Sequence, residues 1–175
     1  KSQDLQEAIK LYNGRVYQGA SEILEELYKK DHHNQTVVGL LKSCYRVLKQ
    51  FDKFEKLLQK QIQFEPDELQ LFNELADVQL KLNKLPEAKL TLKKRLEKSS
   101  SEPQAYFEAA NVFWSNNFST EAKEIYLSAR KKLAKPHLFA WELAAIYEIQ
   151  SDYTSAVKEY FNSVIEDSLR VPDVQ

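Results

Sequence analysis

Tyr17-Gln18-Gly19-Ala20 carries a small residue that recurs along the chain. Stepping by 34 residues from Ala20 gives Phe54, Ala88, Ala122 and Ala156, so four of five positions in that column are alanine. The column four residues further on reads Leu24, Leu58, Leu92, Tyr126 and Tyr160. Two more columns keep the same frame: Ala8, Lys42, Ala76, Ala110 and Ala144, then Leu11, Tyr45, Gln79, Phe113 and Tyr147. No insertion or deletion is needed across the five units. A period of this length marks one supersecondary unit copied along the chain, each copy burying its apolar face on the next.

Within each unit the apolar residues fall at helical spacing twice, as in Leu71, Leu75, Val78 and Leu82. The pattern predicts first helices near 3–13, 36–48, 68–82, 103–115 and 137–149, and second helices near 18–30, 52–64, 86–98, 119–132 and 153–168. Polar turns separate them: Asn13-Gly14-Arg15, Leu82-Asn83-Lys84, Ser115-Asn116-Asn117 and Gln150-Ser151-Asp152. Ser119-Thr120-Glu121 and Ser151-Asp152 offer side-chain oxygens to the free N–H groups of the helices that follow. Pro66, Pro86, Pro103 and Pro136 stand near helix starts, where a missing N–H costs little. Ala8 is expected to face Ala20, because a helix pair packs closely only where its contact points are small.

These columns resemble the tetratricopeptide repeat family. Ala110 with Phe113 and Ala144 with Tyr147 look like its first-helix signature; Ala20, Ala88, Ala122 and Ala156 match its second-helix alanine, and Pro66 its terminal proline. The resemblance spans essentially all 175 residues and implies an all-α, right-handed superhelical solenoid of five helix-turn-helix repeats. Read this way the chain is a single domain, with repeats at about 1–34, 35–68, 69–102, 103–136 and 137–170 and a tail at 171–175. The second unit departs from the pattern. Lys42 and Phe54 replace both small residues, so that unit should be splayed, with the Lys42 stem against Phe54. His32, Ser100, Ala134 and Ser168 stand where the family often has Pro.

The resemblance also implies a concave face lined by the first helices. In the third unit that face offers Asn73, Glu74 and Asp77; in the fourth Phe107, Glu108, Asn111 and Trp114; in the fifth Leu138, Trp141 and Glu142. Phe107, Trp114 and Trp141 read either as binding anchors on the groove wall or as core filling the gaps between units. Glu74, Glu108 and Glu142, one repeat apart, read either as a solvated ridge or as a ladder for a partner with Lys or Arg beside an apolar anchor. The family's clamp for acidic chaperone tails is missing: Leu5, Ile9, Leu40, Gln70 and Glu74 occupy those places.

Composition supports this reading. The chain is 43 % apolar and 29 % charged, with only three Gly and five Pro, which suits helices joined by short loops rather than many tight turns. A net charge of −1 gives no overall field toward nucleic acid, and Lys93-Lys94-Arg95 and Arg130-Lys131-Lys132 sit late in second helices, where cations complement the helix end. No apolar run approaches the roughly 20 residues of a membrane span. Cys44 is the only cysteine, so no internal disulfide forms. Lys1-Ser2-Gln3-Asp4 has neither an initiator Met nor an apolar signal core, and the chain reads as a processed product or an excised fragment. The compartment stays open between the cytoplasm and export after signal removal. Asn34-Gln35-Thr36 and Asn117-Phe118-Ser119 fit a glycosylation pattern that has meaning only in a secreted protein.

Nothing in the pattern points to catalysis. His32 and His33 share a polar loop, where such side chains are expected to face solvent, and His137 lies far along the chain. Cys44 has no sequence-near His, and no Gly-rich phosphate loop or zinc-protease motif occurs. The expectation is therefore a non-catalytic scaffold without cofactor or metal, binding a protein or peptide with basic and apolar residues, mainly on repeats 3–5. The alternative is a structural or self-associating segment, because Val157, Tyr160, Phe161, Val164 and Ile165, followed by Ser168-Leu169-Arg170-Val171-Pro172, leave the last helix apolar on a broad face where a cap would be polar.

Overall fold

The computed structural model describes residues 2–170, with side chains over 3–165; the tail expected at 171–175 and the Ser168-Leu169-Arg170 side chains lie outside it. Ten α-helices and no strand occur among the described residues: α1 (Ser2–Asn13), α2 (Tyr17–Lys30), α3 (Gln35–Val47), α4 (Phe51–Phe64), α5 (Leu69–Lys81), α6 (Leu85–Lys98), α7 (Pro103–Ser115), α8 (Ser119–Leu133), α9 (Ala140–Ile149) and α10 (Tyr153–Arg170). Nine of the ten start within two residues of the position read from the periodicity. The chain forms two compact units, residues 1–85 and 86–175.

The backbone carries the 34-residue period. Arg15, Lys49, Asn83, Asn117 and Ser151 all adopt left-handed φ angles, between 54° and 66°. Each follows a first helix, and each turn closes in the same way. The N–H of Val16, Gln50, Lys84, Phe118 and Asp152 reaches back 2.8–2.9 Å to the carbonyl of Leu11, Tyr45, Gln79, Phe113 and Tyr147. The left-handed residue itself donates to the carbonyl three positions earlier, as Asn117 does to Trp114 at 3.0 Å. This is the Schellman arrangement, which satisfies helix-end carbonyls without a side chain. The apolar contact that accompanies it appears as the edge-on Phe113–Phe118 pair, 6.5 Å between centroids. None of the five turns places glycine at the left-handed position, although glycine suits it best.

Inside the helices the small columns are fully packed. Ala8, Ala20, Ala76, Ala88, Ala110, Ala122 and Ala144 have no exposed surface. The core of the first unit gathers Leu24, Val37, Leu41, Cys44, Phe54, Leu58, Leu71 and Val78 around them. In the second unit Leu92, Tyr106, Phe113, Leu143 and Ile146 are buried. The backbones of α3 and α4, where Lys42 and Phe54 stand, lie close over a shorter stretch than those of α1 and α2. The cation over the Phe54 ring is Arg46, at 5.5 Å, whereas the Lys42 ammonium turns to Glu74 on α5, 3.2 Å away.

Three local expectations are corrected. The fifth first-helix begins at Ala140, not 137, because Phe139 is left-handed at φ 60°. That turn is held by the Arg130 Nε–H, which donates to the Leu138 carbonyl at 2.7 Å, and by the Phe139 ring, which packs 4.8 Å from Tyr126. At the start of α8 the N-cap position falls on Phe118, which has no capping side chain; Ser119 already lies inside the helix, and its hydroxyl accepts from Gln150 instead. Asp152 does cap α10, accepting from the Ser155 N–H at 3.1 Å. His32 does not face solvent: it packs against Tyr28 and Phe64, and its Nε2 lies 2.9 Å from the Lys60 ammonium. Because a lysine ammonium can only donate, Nε2 is the acceptor there.

Candidate functional site

Within the second unit, α7 and α9 present successive helical turns to a cleft of about 250 Å³. Phe107, Asn111 and Trp114 come from α7 at spacings of four and three, so they share one stripe of that helix. Trp141, Glu142, Ala145 and Ile146 come from α9, and Tyr126 closes the floor from α8. The two aromatic clusters beside the cleft are fixed by ring packing. Phe107 and Tyr126 both rest on Phe139, at 6.4 and 4.8 Å, and Trp141 meets Tyr160 edge-on at 5.3 Å. The Tyr160 hydroxyl is in turn bonded to Glu148. Trp141 is 65 % exposed, an unusual position for the largest apolar side chain.

Glu142 supplies the charge at the cleft. Burial pushes the Tyr126 phenol above its ordinary value, and the nearby Glu142 carboxylate pushes it further in the same direction. Tyr126 thus stays a neutral hydroxyl next to a carboxylate. Among the described residues, no Lys, Arg or His pairs with Glu142.

Of the ten residues assigned from sequence to the groove, five line this one cleft: Phe107, Asn111, Trp114, Trp141 and Glu142. The others have different surroundings. Glu108 is engaged by Arg95 from α6, and Gln104 donates to it at 3.1 Å. Leu138 is buried in the turn ahead of α9. Asn73 is buried on α5, Glu74 is held by Lys42, and Asp77 by Lys81 one turn along. Glu74, Glu108 and Glu142 therefore do not form a ladder of open carboxylates: two of the three already have an internal cation. Tyr126 and Ile146 were missed. The signal for Tyr126 was its column, where an aromatic ring replaces the Leu of the first three units.

The arginines of the two basic runs also turn inward. Arg95 is almost fully buried and donates to the Ala105 carbonyl at 2.8 Å; Arg130 is clamped by Glu159. Among the described residues no group of His, Cys, Asp and Glu could hold a metal ion, and no helix is long and apolar enough to cross a membrane.

Helix pairs closed by the same turn at a fixed period define an all-α helical-hairpin repeat protein. Solved structures share this fold. A structure of MamA matches 99 % of this chain and 97 % of its own, with a TM-score of 0.62 at 16 % identity. MamA 41-end from Desulfovibrio magneticus RS-1 matches 97 % of each chain, with a TM-score of 0.59 at 12 % identity. At these identities the likeness is one of fold. No family model matches the chain, and no curated protein matches it.

Proposed function

We propose that this chain is a non-catalytic protein-interaction scaffold that takes a partner peptide or helix along α7 and α9. The observation that carries the reading is the cleft itself: two tryptophans and a carboxylate without an internal cation, gathered on adjacent first helices. Aromatic anchors in a partly desolvated pocket are the residues that dominate interface energy. The repeat fold found in MamA supplies the rigid frame such a pocket needs. The test is affinity capture with the wild type beside a Trp114→Ala, Trp141→Ala variant of matched helicity. Partners retained by the wild type and lost from the variant support the reading; the same retention by both overturns it.

A second reading rests on α10, and its proposed occupant is a second copy of this chain. In earlier second helices, certain columns reach onto the following hairpin. Glu55 is held by Lys84, Lys123 by Gln150, Tyr28 by Gln61 and Arg130 by Glu159. On α10 the same columns carry Val157 and Val164, which are 54 % and 66 % exposed, with Phe161 beside them at 70 %. Tyr153, Val157, Tyr160 and Val164 follow the four-three-four spacing of a helix-pair seam. Contact with the α1 of a second copy is disfavoured. The α1 residues Asp4 and Glu7 are exposed where their column mates Val38, Phe72, Leu41 and Leu75 are buried. The chemistry fits a two-fold pair, α10 on α10. Sedimentation equilibrium should show a concentration-dependent dimer for the wild type and a monomer for Val157→Glu, Val164→Glu. A wild type that stays monomeric at high concentration overturns this reading.

A further inference from the structure

The chain places its own cations over several of its aromatic rings. The Arg46 guanidinium lies 5.5 Å from the Phe54 centroid, Lys53 6.0 Å from Tyr45, Lys60 5.7 Å from Tyr28, and Lys123 5.0 Å from Tyr147. It also gives four of its covered carboxylates a cation: Glu55 has Lys84, Glu74 has Lys42, Glu108 has Arg95 and Glu159 has Arg130. The α7–α9 cleft has neither provision. Among the described residues, no cation of the chain lies over Phe107, Trp114, Tyr126 or Trp141, and none pairs with Glu142. The most aromatic surface of the second unit and an unneutralised, half-buried carboxylate occupy one cleft.

We propose that the cleft is the seat of a single cationic side chain, an arginine or lysine, from the partner. This rests on the reading of α7 and α9 as the partner-binding face. The π faces of tryptophan attract a cation more strongly than those of Tyr or Phe, and the attraction grows as water is excluded. Glu142 adds a charge-assisted acceptor at one end, and the Asn111 side-chain amide can supply a neutral one across from it. A volume of about 250 Å³ lies below the usual range for a drug-sized ligand and suits one long side chain. A purely apolar anchor would leave the Glu142 carboxylate covered and unpaired, a penalty that a cation removes.

The protein contains only two tryptophans, and both line the cleft, so fluorescence excited selectively at tryptophan reports on this site. The probes are a blocked pentapeptide with a central arginine between alanines, its lysine counterpart, and a citrulline counterpart that keeps the shape and loses the charge. A saturable fluorescence change is expected with arginine or lysine, and binding about fivefold weaker with citrulline. Glu142→Gln should weaken arginine binding by a similar factor, with unchanged helicity. Raising ionic strength from about 0.05 to about 0.5 M should weaken the wild type and leave Glu142→Gln nearly unmoved. Equal affinity for arginine and citrulline overturns the proposal, as does Glu142→Gln binding like the wild type, or no saturable response. A response to tetramethylammonium as strong as that to the arginine peptide overturns it in favour of a quaternary ammonium ligand. If capture depends on Trp114 and Trp141 while citrulline binds like arginine, the groove survives and only the cation seat fails. If capture ignores both tryptophans, the groove reading itself falls.

Discussion

The Arg130 guanidinium and the Glu159 carboxylate meet at two points, 2.8 Å from Nη1 to Oε1 and 2.6 Å from Nη2 to Oε2. The pair ties α8 to α10, with 12 % and 9 % of its side-chain surfaces exposed, while Arg130 Nε fixes the turn ahead of α9. One side chain therefore holds three elements of the second unit. Breaking such a pair from one side leaves a covered charge unmatched, which costs about 3–5 kcal/mol.

This pair sets a pH dependence. Burial alone would raise the Glu159 carboxyl, but the hydrogen bonds from Arg130 and Asn162 and the Arg130 charge outweigh it and hold the group below its ordinary value of 4.5. A depressed carboxyl stabilises the fold fully above the ordinary value and loses that contribution as pH falls through the lower, folded value. Urea midpoints of the wild type should therefore fall between about pH 5 and pH 3. In Glu159→Gln the midpoint should start lower and fall less over that interval. Parallel curves for the two proteins would remove Glu159 from the acid response.

The hairpin turns predict a gain. Lys49 holds a left-handed backbone with φ 54°, which costs a residue with a Cβ about 1 kcal/mol and costs glycine almost nothing. Lys49→Gly also gives the unfolded chain more freedom, which offsets part of the gain. The expected net result is a rise of about 0.5 kcal/mol, read from the urea midpoint. Gly39 offers the opposite case. It sits in mid-α3 with open space around the position of a Cβ, so Gly39→Ala should stabilise by about 0.5–1 kcal/mol. A fall in stability for either variant would contradict its local geometry.

The alanine columns predict a loss. Ala110 and Ala122 have no exposed surface, and α7 and α8 pack closely along their length. Ala122→Leu should cost about 1–3 kcal/mol, because extra methylenes in a filled interface force the helices apart. Leu58→Ala probes the core from the other side and should cost about 2–5 kcal/mol by opening a cavity beside Phe54. Chemical denaturation checks both.

The helices were legible in the sequence because their signal is local: apolar spacing, turns and caps all act within a few residues. The α9 start was not, because a distant side chain, Arg130, and the Phe139 ring determine it. For the same reason the pairing of the acidic column was not legible. Spacing puts Glu74, Glu108 and Glu142 at matching positions, but it does not show that Lys42 and Arg95 reach two of them from other helices. The aromatic half of the cleft was legible because Phe107, Trp114 and Trp141 share first-helix positions. Tyr126 comes from a second helix, and only its column distinguished it.

The left-handed turns bear on how the chain folds as well as on its shape. Each is closed by hydrogen bonds that span at most five positions along the chain, so no turn waits for a distant segment. Contacts this local favour fast folding and several independent points of initiation. During synthesis a hairpin can close soon after its second helix leaves the ribosome, before the next repeat exists.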